Sequence, residues 1–250
     1  FSSNAVAELI APECQVLDEY EEITAATGEF DNGLLWKISK AGSPHSYVFG
    51  TIHVSDESIV KLPEEVSGAL NQAKTFAMEV VPEPSELMTF ASLMYFSDGR
   101  KLNDLISEPL FDEVVKLLAS YHLPEEAVEL LKPWAAFLTM SYPPEFGQVL
   151  DMQLLEKARQ LGVIVTGLES MQEQIDIFNT LTLDHQIKIL SDTACHYDMV
   201  EADFTKMKSL YIARDLGGLY AYSQRYSLSD EEVYNVLIKK ILVDRNYTMT

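Results

Sequence analysis

The feature that most constrains this chain is a strand, helix, strand pattern compressed into residues 47–81. Tyr47-Val48-Phe49 runs into Gly50-Thr51-Ile52-His53. After a loop, Pro63-Glu64-Glu65 leads into Val66, Leu70 and Ala73, and Thr75-Phe76-Ala77-Met78-Glu79-Val80-Val81 closes the unit. Proline and two acids suit a helix's first turn. A βαβ unit of this length predicts that strands 47–52 and 75–81 run parallel, with their C-terminal ends on one sheet edge. Upstream, Leu34-Leu35-Trp36-Lys37-Ile38 and Tyr47-Val48-Phe49 flank the turn-rich Ala41-Gly42-Ser43-Pro44, which predicts a hairpin.

The remainder extends this core. Residues 85–146 carry apolar residues at helical spacing through Leu110, Phe111, Val114, Val115, Leu117 and Leu118, with prolines at 124, 133, 143 and 144, and predict a helical insertion or cap. A helix over Asp151–Leu161, a stop at Gly162 and a strand over Val163–Thr166 follow. Glu169 then precedes a capping box, Ser170-x-x-Glu173. From Leu183 to Leu210 apolar positions step by threes and fours, predicting one long amphipathic helix broken by Gly217-Gly218. Ser229-x-x-Glu232 caps a last helix carrying Arg245 and Asn246. The fold class is therefore α/β, with α+β as the near alternative: a central mixed β-sheet flanked by helices, with a helical insertion.

Composition limits the partners. The 39 Asp plus Glu against 18 Lys plus Arg give a net charge of −21, which repels phosphate backbones and anionic lipid and argues against nucleic acid as a partner. Eight of these acids and no base fall in residues 1–33, a solvated acidic leader with a short helix expected around Val6–Ile10. No apolar run approaches the roughly 18 residues of a transmembrane segment. The chain begins at Phe1, and removal of a signal peptide with export to the periplasm or beyond is the expectation, with trimming as the alternative. Cys14 and Cys195 are the only cysteines; without CxxC or a Cys/His cluster they argue against a structural zinc site, and one disulfide or two thiols both remain open.

Three residues stand where chemistry is expected. His53 lies beyond a strand's carboxyl end, three residues after Gly50, whose missing side chain permits close approach. Glu79, among Phe76, Met78, Val80 and Val81, must be desolvated and paired or must face a polar site; beside His53 it would make a metal-ligand or acid/base pair. Glu169 sits where a strand hands over to a helix. Asp151 and Arg245 read individually as a helix cap and a dipole-offsetting cation. His185 and His196, eleven apart, share a helix face without being able to chelate one ion, and His45 and His122 are expected to be exposed.

In order along the chain, Leu35-Trp36-Lys37-Ile38, Val48-Phe49-Gly50-Thr51-Ile52-His53, Ala77-Met78-Glu79, Lys132-Pro133-Trp134, Leu150-Asp151-x-x-Leu154, Gly167-Leu168-Glu169-Ser170-x-x-Glu173-Gln174 and Asp244-Arg245-Asn246 resemble the TraB/GumN family over about 34–250. That family is similar to the TIKI proteases and PrgY pheromone-shutdown proteins, and more distantly to erythromycin esterase and ChaN-like proteins. The resemblance implies a two-halved cleft and hydrolysis dependent on a divalent metal, Mn, Co or Zn. It makes His53 and Glu79 metal ligands, Glu79, Glu169 and Arg245 catalytic groups, and Gly50, Asp151 and Asn246 binding residues. Family members typically continue past the Arg-Asn segment into a second GxxH-like element. This chain stops at Thr250, so a shortened and inactive form, with His53 holding a metal through carboxylates alone, is one expectation. The function expected is a peptidase-like hydrolase acting on a peptide or small molecule; alternatives are a non-catalytic protein sequestering such a ligand in the same cleft, or a partner-docking role for the long helix.

Overall fold

The computed structural model describes residues 28, 30–144, 147–223 and 231–244. The leader up to residue 27, Ser229, Arg245 and Asn246 lie outside them. The predicted hairpin forms: β1 (Leu35–Ile38) and β2 (Ser46–Phe49) are antiparallel, with Leu35 opposite Phe49. Helices α1 (Glu57–Val60) and α2 (Glu64–Gln72) follow, α2 starting after Pro63, and lead to β3 (Thr75–Met78). The helical insertion then runs through α3 (Pro84–Leu93), α4 (Glu108–Leu118), α5 (Glu125–Val128) and α6 (Pro133–Met140).

Next come α7 (Leu150–Gln160), closed by Gly162, and β4 (Ile164–Gly167). After β4 stand α8 (Met171–Asn179), whose capping box between Ser170 and Glu173 is fully formed, α9 (Leu183–Cys195), α10 (Tyr197–Ile212), α11 (Leu216–Ser223) and α12 (Glu231–Ile238). Cys195 is disulfide-bonded. No helix among the described residues is long and apolar enough to cross a membrane.

The α/β class holds, and antiparallel and parallel pairing both occur, but in two separate two-stranded sheets. The predicted parallel partnership of 47–52 with 75–81 is replaced by β3 beside β4, Thr75 opposite Ile164 and Met78 opposite Gly167. Strands of four residues carry too few side chains to specify a partner, and β2 is satisfied by its nearest neighbour in sequence.

The long helix is also corrected. It breaks between α9 and α10 at His196, whose φ of −113° and ψ of 20° are not helical. There the His196 backbone N–H and Nδ1 both bond to the Asp192 carbonyl, at 3.2 and 2.9 Å, so ring and backbone compete for one acceptor. The next break falls at Arg214 (φ 59°), not at Gly217-Gly218, which lie inside α11. Those glycines serve close approach: a Cβ on Gly217 would stand 3.0 Å from the Asp31 side chain, and one on Gly218 2.3 Å from Asp215 Oδ2.

Two large cores result. One gathers the insertion with α9 around Leu102, Val114, Leu131, Trp134 and Met140, where Trp134 stacks on Phe178 with ring centroids 5.3 Å apart. The other gathers Val54, Val66, Leu70, Leu150, Leu154, Phe204 and Tyr211 beneath the segment that follows β2. Each fully buried side chain of this size contributes about 1.5–3 kcal/mol. The second core therefore anchors the first turn of α7 and the middle of α10 under His53.

Candidate active site

Beyond Phe49 the chain leaves the sheet with Gly50 N still bonded to the Leu34 carbonyl, then turns sharply at His53. There the Val54 N–H reaches back to the Ile52 carbonyl at 2.9 Å, a γ-turn centred on the histidine. Val54 next to it is buried (1% exposed), so the turn is pinned by a core residue while the imidazole stays accessible. The Val54 carbonyl accepts the N–H of Leu150, the first residue of α7, satisfying one of that helix end's orphan donors and bringing Asp151 to the turn.

Asp151 is the hinge of the site. Its Oδ2 lies 2.8 Å from His53 Nδ1 and its Oδ1 accepts from Thr51 Oγ1 at 2.6 Å. Burial pushes this carboxyl up, but the hydrogen bonds from His53 and Thr51, the nearby imidazole charge and its own backbone N–H outweigh it and hold the group below the usual aspartate value. An ionised carboxylate only accepts, so the shared proton sits on Nδ1, and whenever the ring is neutral its lone pair is on Nε2. With side-chain exposures of 54% for His53 and 13% for Asp151, the carboxylate is sheltered and the imidazole presented.

Helix α10 supplies the support from one face. Phe204, Lys208 and Tyr211 stand at i, i+4 and i+7. Tyr211 donates to the Gly50 carbonyl at 2.9 Å, and burial together with the Asp151 charge raises its phenol, keeping it a donor. Lys208 Nζ lies 3.5 Å from Asp56 Oδ2; Asp56 caps α1 through Ser58 N at 2.9 Å and is held below the ordinary carboxylate range mainly by the Ser58 hydroxyl and amide. Phe204 faces a cavity of about 200 Å³ with His53, Ser55, Tyr142, Pro143 and Val149. Gly147 is required at its rim: φ is +144°, and a Cβ would lie 2.9 Å from that of Ser55.

The predicted residues divide into groups. His53, Gly50 and Asp151 are brought together, and Asp151 is a partner of the histidine, not only a helix-start acid. Glu79 and Glu169 form a second group at the β3–β4 ends, where the Glu79 carbonyl accepts the Glu169 N–H at 2.9 Å. Glu79 is exposed, the polar-facing option of the two expected; Glu169 is buried (8% exposed) and accepts from Gln174 Nε2 at 2.8 Å. Arg245 and Asn246 lie outside the described residues. His45 and His122 are exposed as expected.

Thr51 and Tyr211 were not legible as site residues. Thr51 is a strand-compatible residue whose hydroxyl gave no signal, and Tyr211 lies one residue past the apolar series read as a core stripe. Among the described residues no group of three or more His, Cys, Asp or Glu stands ready at ligand spacing. A ring whose Nδ1–H is held by a carboxylate is a form that metal-binding histidines take, so His53 is the residue that would hold a divalent ion.

A carboxylate-oriented histidine on a turn above an α/β core is thus the class of site this fold builds. The family model for TraB/PrgY/gumN matches residues 34–250, and the chain belongs to that family. No curated protein and no solved structure matches it.

Proposed function

We propose that this protein is a peptidase-like hydrolase whose reaction centres on His53. The observation that carries the reading is the 2.8 Å contact between His53 Nδ1 and Asp151 Oδ2, itself fixed by Thr51. A structural histidine gains little from two successive oriented bonds, whereas a group that must present one lone pair in one direction needs them. In this reading His53 Nε2 would be the first ligand for a divalent ion, Mn, Co or Zn, and Glu79, which stands in the separate group at the β3–β4 ends, is the proposed carboxylate ligand. The ion would supply carbonyl polarisation and water activation.

The chain's own residues do the rest. Asp151 keeps the proton on Nδ1 and leaves Nε2 basic. Thr51 stops the carboxylate from rotating away, and Tyr211 holds the Gly50 carbonyl so that the turn keeps its place. Glu79 and Glu169 are the proposed acid/base carboxylates: one accepts the proton of the attacking water as the C–O bond forms. The proton passes to the departing nitrogen as the C–N bond breaks, leaving a carboxylate and an amine. An extracytoplasmic setting is supported by the disulfide at Cys195, since such bonds persist in oxidising compartments.

The test is turnover of a mixed peptide pool, followed by mass spectrometry with Mn, Co or Zn added singly. His53→Ala and Asp151→Asn should each lower turnover about a hundredfold or more. Wild-type turnover that is metal-independent, or variants as active as wild type, would overturn the reading.

A further inference from the structure

The cavity beside His53 has a composition that the histidine and its partners do not explain. Tyr142, Pro143, Val149 and Phe204 make an apolar wall, and the Tyr142 and Phe204 rings meet edge to face with centroids 5.6 Å apart and an interplanar angle of 63°. Phe204 is fixed by the core (7% exposed), whereas Tyr142 is 41% exposed and lies at the mouth. At about 200 Å³ the cavity falls below the roughly 300–1,000 Å³ of a pocket that encloses a whole small molecule. It is the size for one large side chain.

The cavity is not isolated. Gly147 and Val149 also line a second, shallower groove of about 560 Å³ that runs past Pro82, Leu87 and Met152 to Arg159. An extended chain crossing the 147–149 segment would drop one side chain beside His53 and lay its neighbours along that groove. Among the described residues no Lys or Arg lines the first cavity, and the chain's net charge of −21 opposes an acidic side chain there.

We propose that this cavity is the specificity subsite of the hydrolase reading above, on which it rests: it takes a single large apolar side chain, phenylalanine or leucine in size, of an extended peptide whose reacting amide lies at His53. Tyr142, Val149 and Phe204 are the specificity-determining residues, and acidic side chains are rejected.

Dye-labelled peptides of the form Ala-Ala-X-Ala-Ala, with X as Gly, Leu, Phe, Lys or Asp, test this on the wild-type chain with Mn, Co or Zn added singly. Anisotropy reads affinity and mass spectrometry reads cleavage. The Phe and Leu peptides should bind about ten- to a hundredfold more tightly than the Gly peptide, and the Asp peptide most weakly. Tyr142→Ala should reduce the Phe preference several-fold, and Val149→Phe, which fills the cavity, should abolish it, with circular dichroism melts reporting that both variants fold. Equal affinity across X, no binding of any peptide, or a Phe preference untouched by both variants overturns the proposal. Preference without cleavage of any peptide leaves the subsite standing and sinks the hydrolase; cleavage with no dependence on X does the reverse.

Discussion

The core of the helical insertion and the ground under His53 are built on opposite principles. Around Trp134 the chain buries side chains almost completely: Leu102, Val114, Leu118, Leu131 and Met140 are all 0% exposed. Burial there even overrides polarity, for Trp134 Nε1 is enclosed with no hydrogen-bond partner among the described residues. Around His53 the layout depends on a few directed bonds between segments far apart in sequence. Thr51 and His53 reach Asp151, Tyr211 reaches Gly50, and Leu150 reaches Val54. Area holds the first region together; bond direction organises the second. Stability and activity should therefore separate under mutation.

The largest effect expected is on the insertion. Trp134→Ala should cost about 3–5 kcal/mol of unfolding free energy, measured by urea denaturation, while peptide binding per folded molecule stays as in wild type. A fall in intrinsic affinity would show that the two regions are coupled. Trp134→Phe sharpens the point: it gives up some volume but removes the orphan N–H, so its cost should stay within about 1.5 kcal/mol.

Smaller, and opposite in kind, is the effect of Thr51→Val. Losing the hydroxyl frees Asp151 to rotate and should lower turnover about tenfold with the melting temperature shifted by only a few degrees; Thr51→Ser should restore most of it. Equal losses in the Val and Ser variants would mean that the methyl group matters, not the bond.

The smallest effect is in acid. Asp151 titrates lower in the folded chain than in the unfolded one, so its contribution is present above the unfolded value of about 3.9 and lost as pH falls through the folded one. Unfolding free energy measured from pH 5 downward should show that loss in wild type, and Asp151→Asn should lack it. Parallel curves would contradict the assignment of Asp151 as the depressed group.

Legibility in the sequence follows the same division. Local rules recovered what local forces build: the hairpin around Gly42, the helix after Pro63, the stop at Gly162 and the Ser170 capping box. His53 and Glu169 stood out in the sequence because each follows a strand; in the structure they lie beyond the ends of β2 (Ser46–Phe49) and β4 (Ile164–Gly167). What the sequence did not disclose is long-range. β3 pairs with β4 across about ninety residues, and nothing in four-residue strands encodes that choice. Asp151 had a sufficient local explanation as a helix-start acid, which concealed its role 98 residues from His53. The stripe on the long helix did predict core, but the same face of α10 also carries Lys208 and Tyr211 to the site, which periodicity alone does not distinguish.

The central claim is that Asp151 fixes the His53 tautomer, with the proton on Nδ1 and the lone pair on Nε2. Nitrogen-15 NMR of the histidine side chains at neutral pH, without added metal, reads this directly. The account predicts a protonated Nδ1 and an unprotonated Nε2 for His53, with that pattern lost in Asp151→Asn. A proton found on Nε2, or the same tautomer in both proteins, would contradict it.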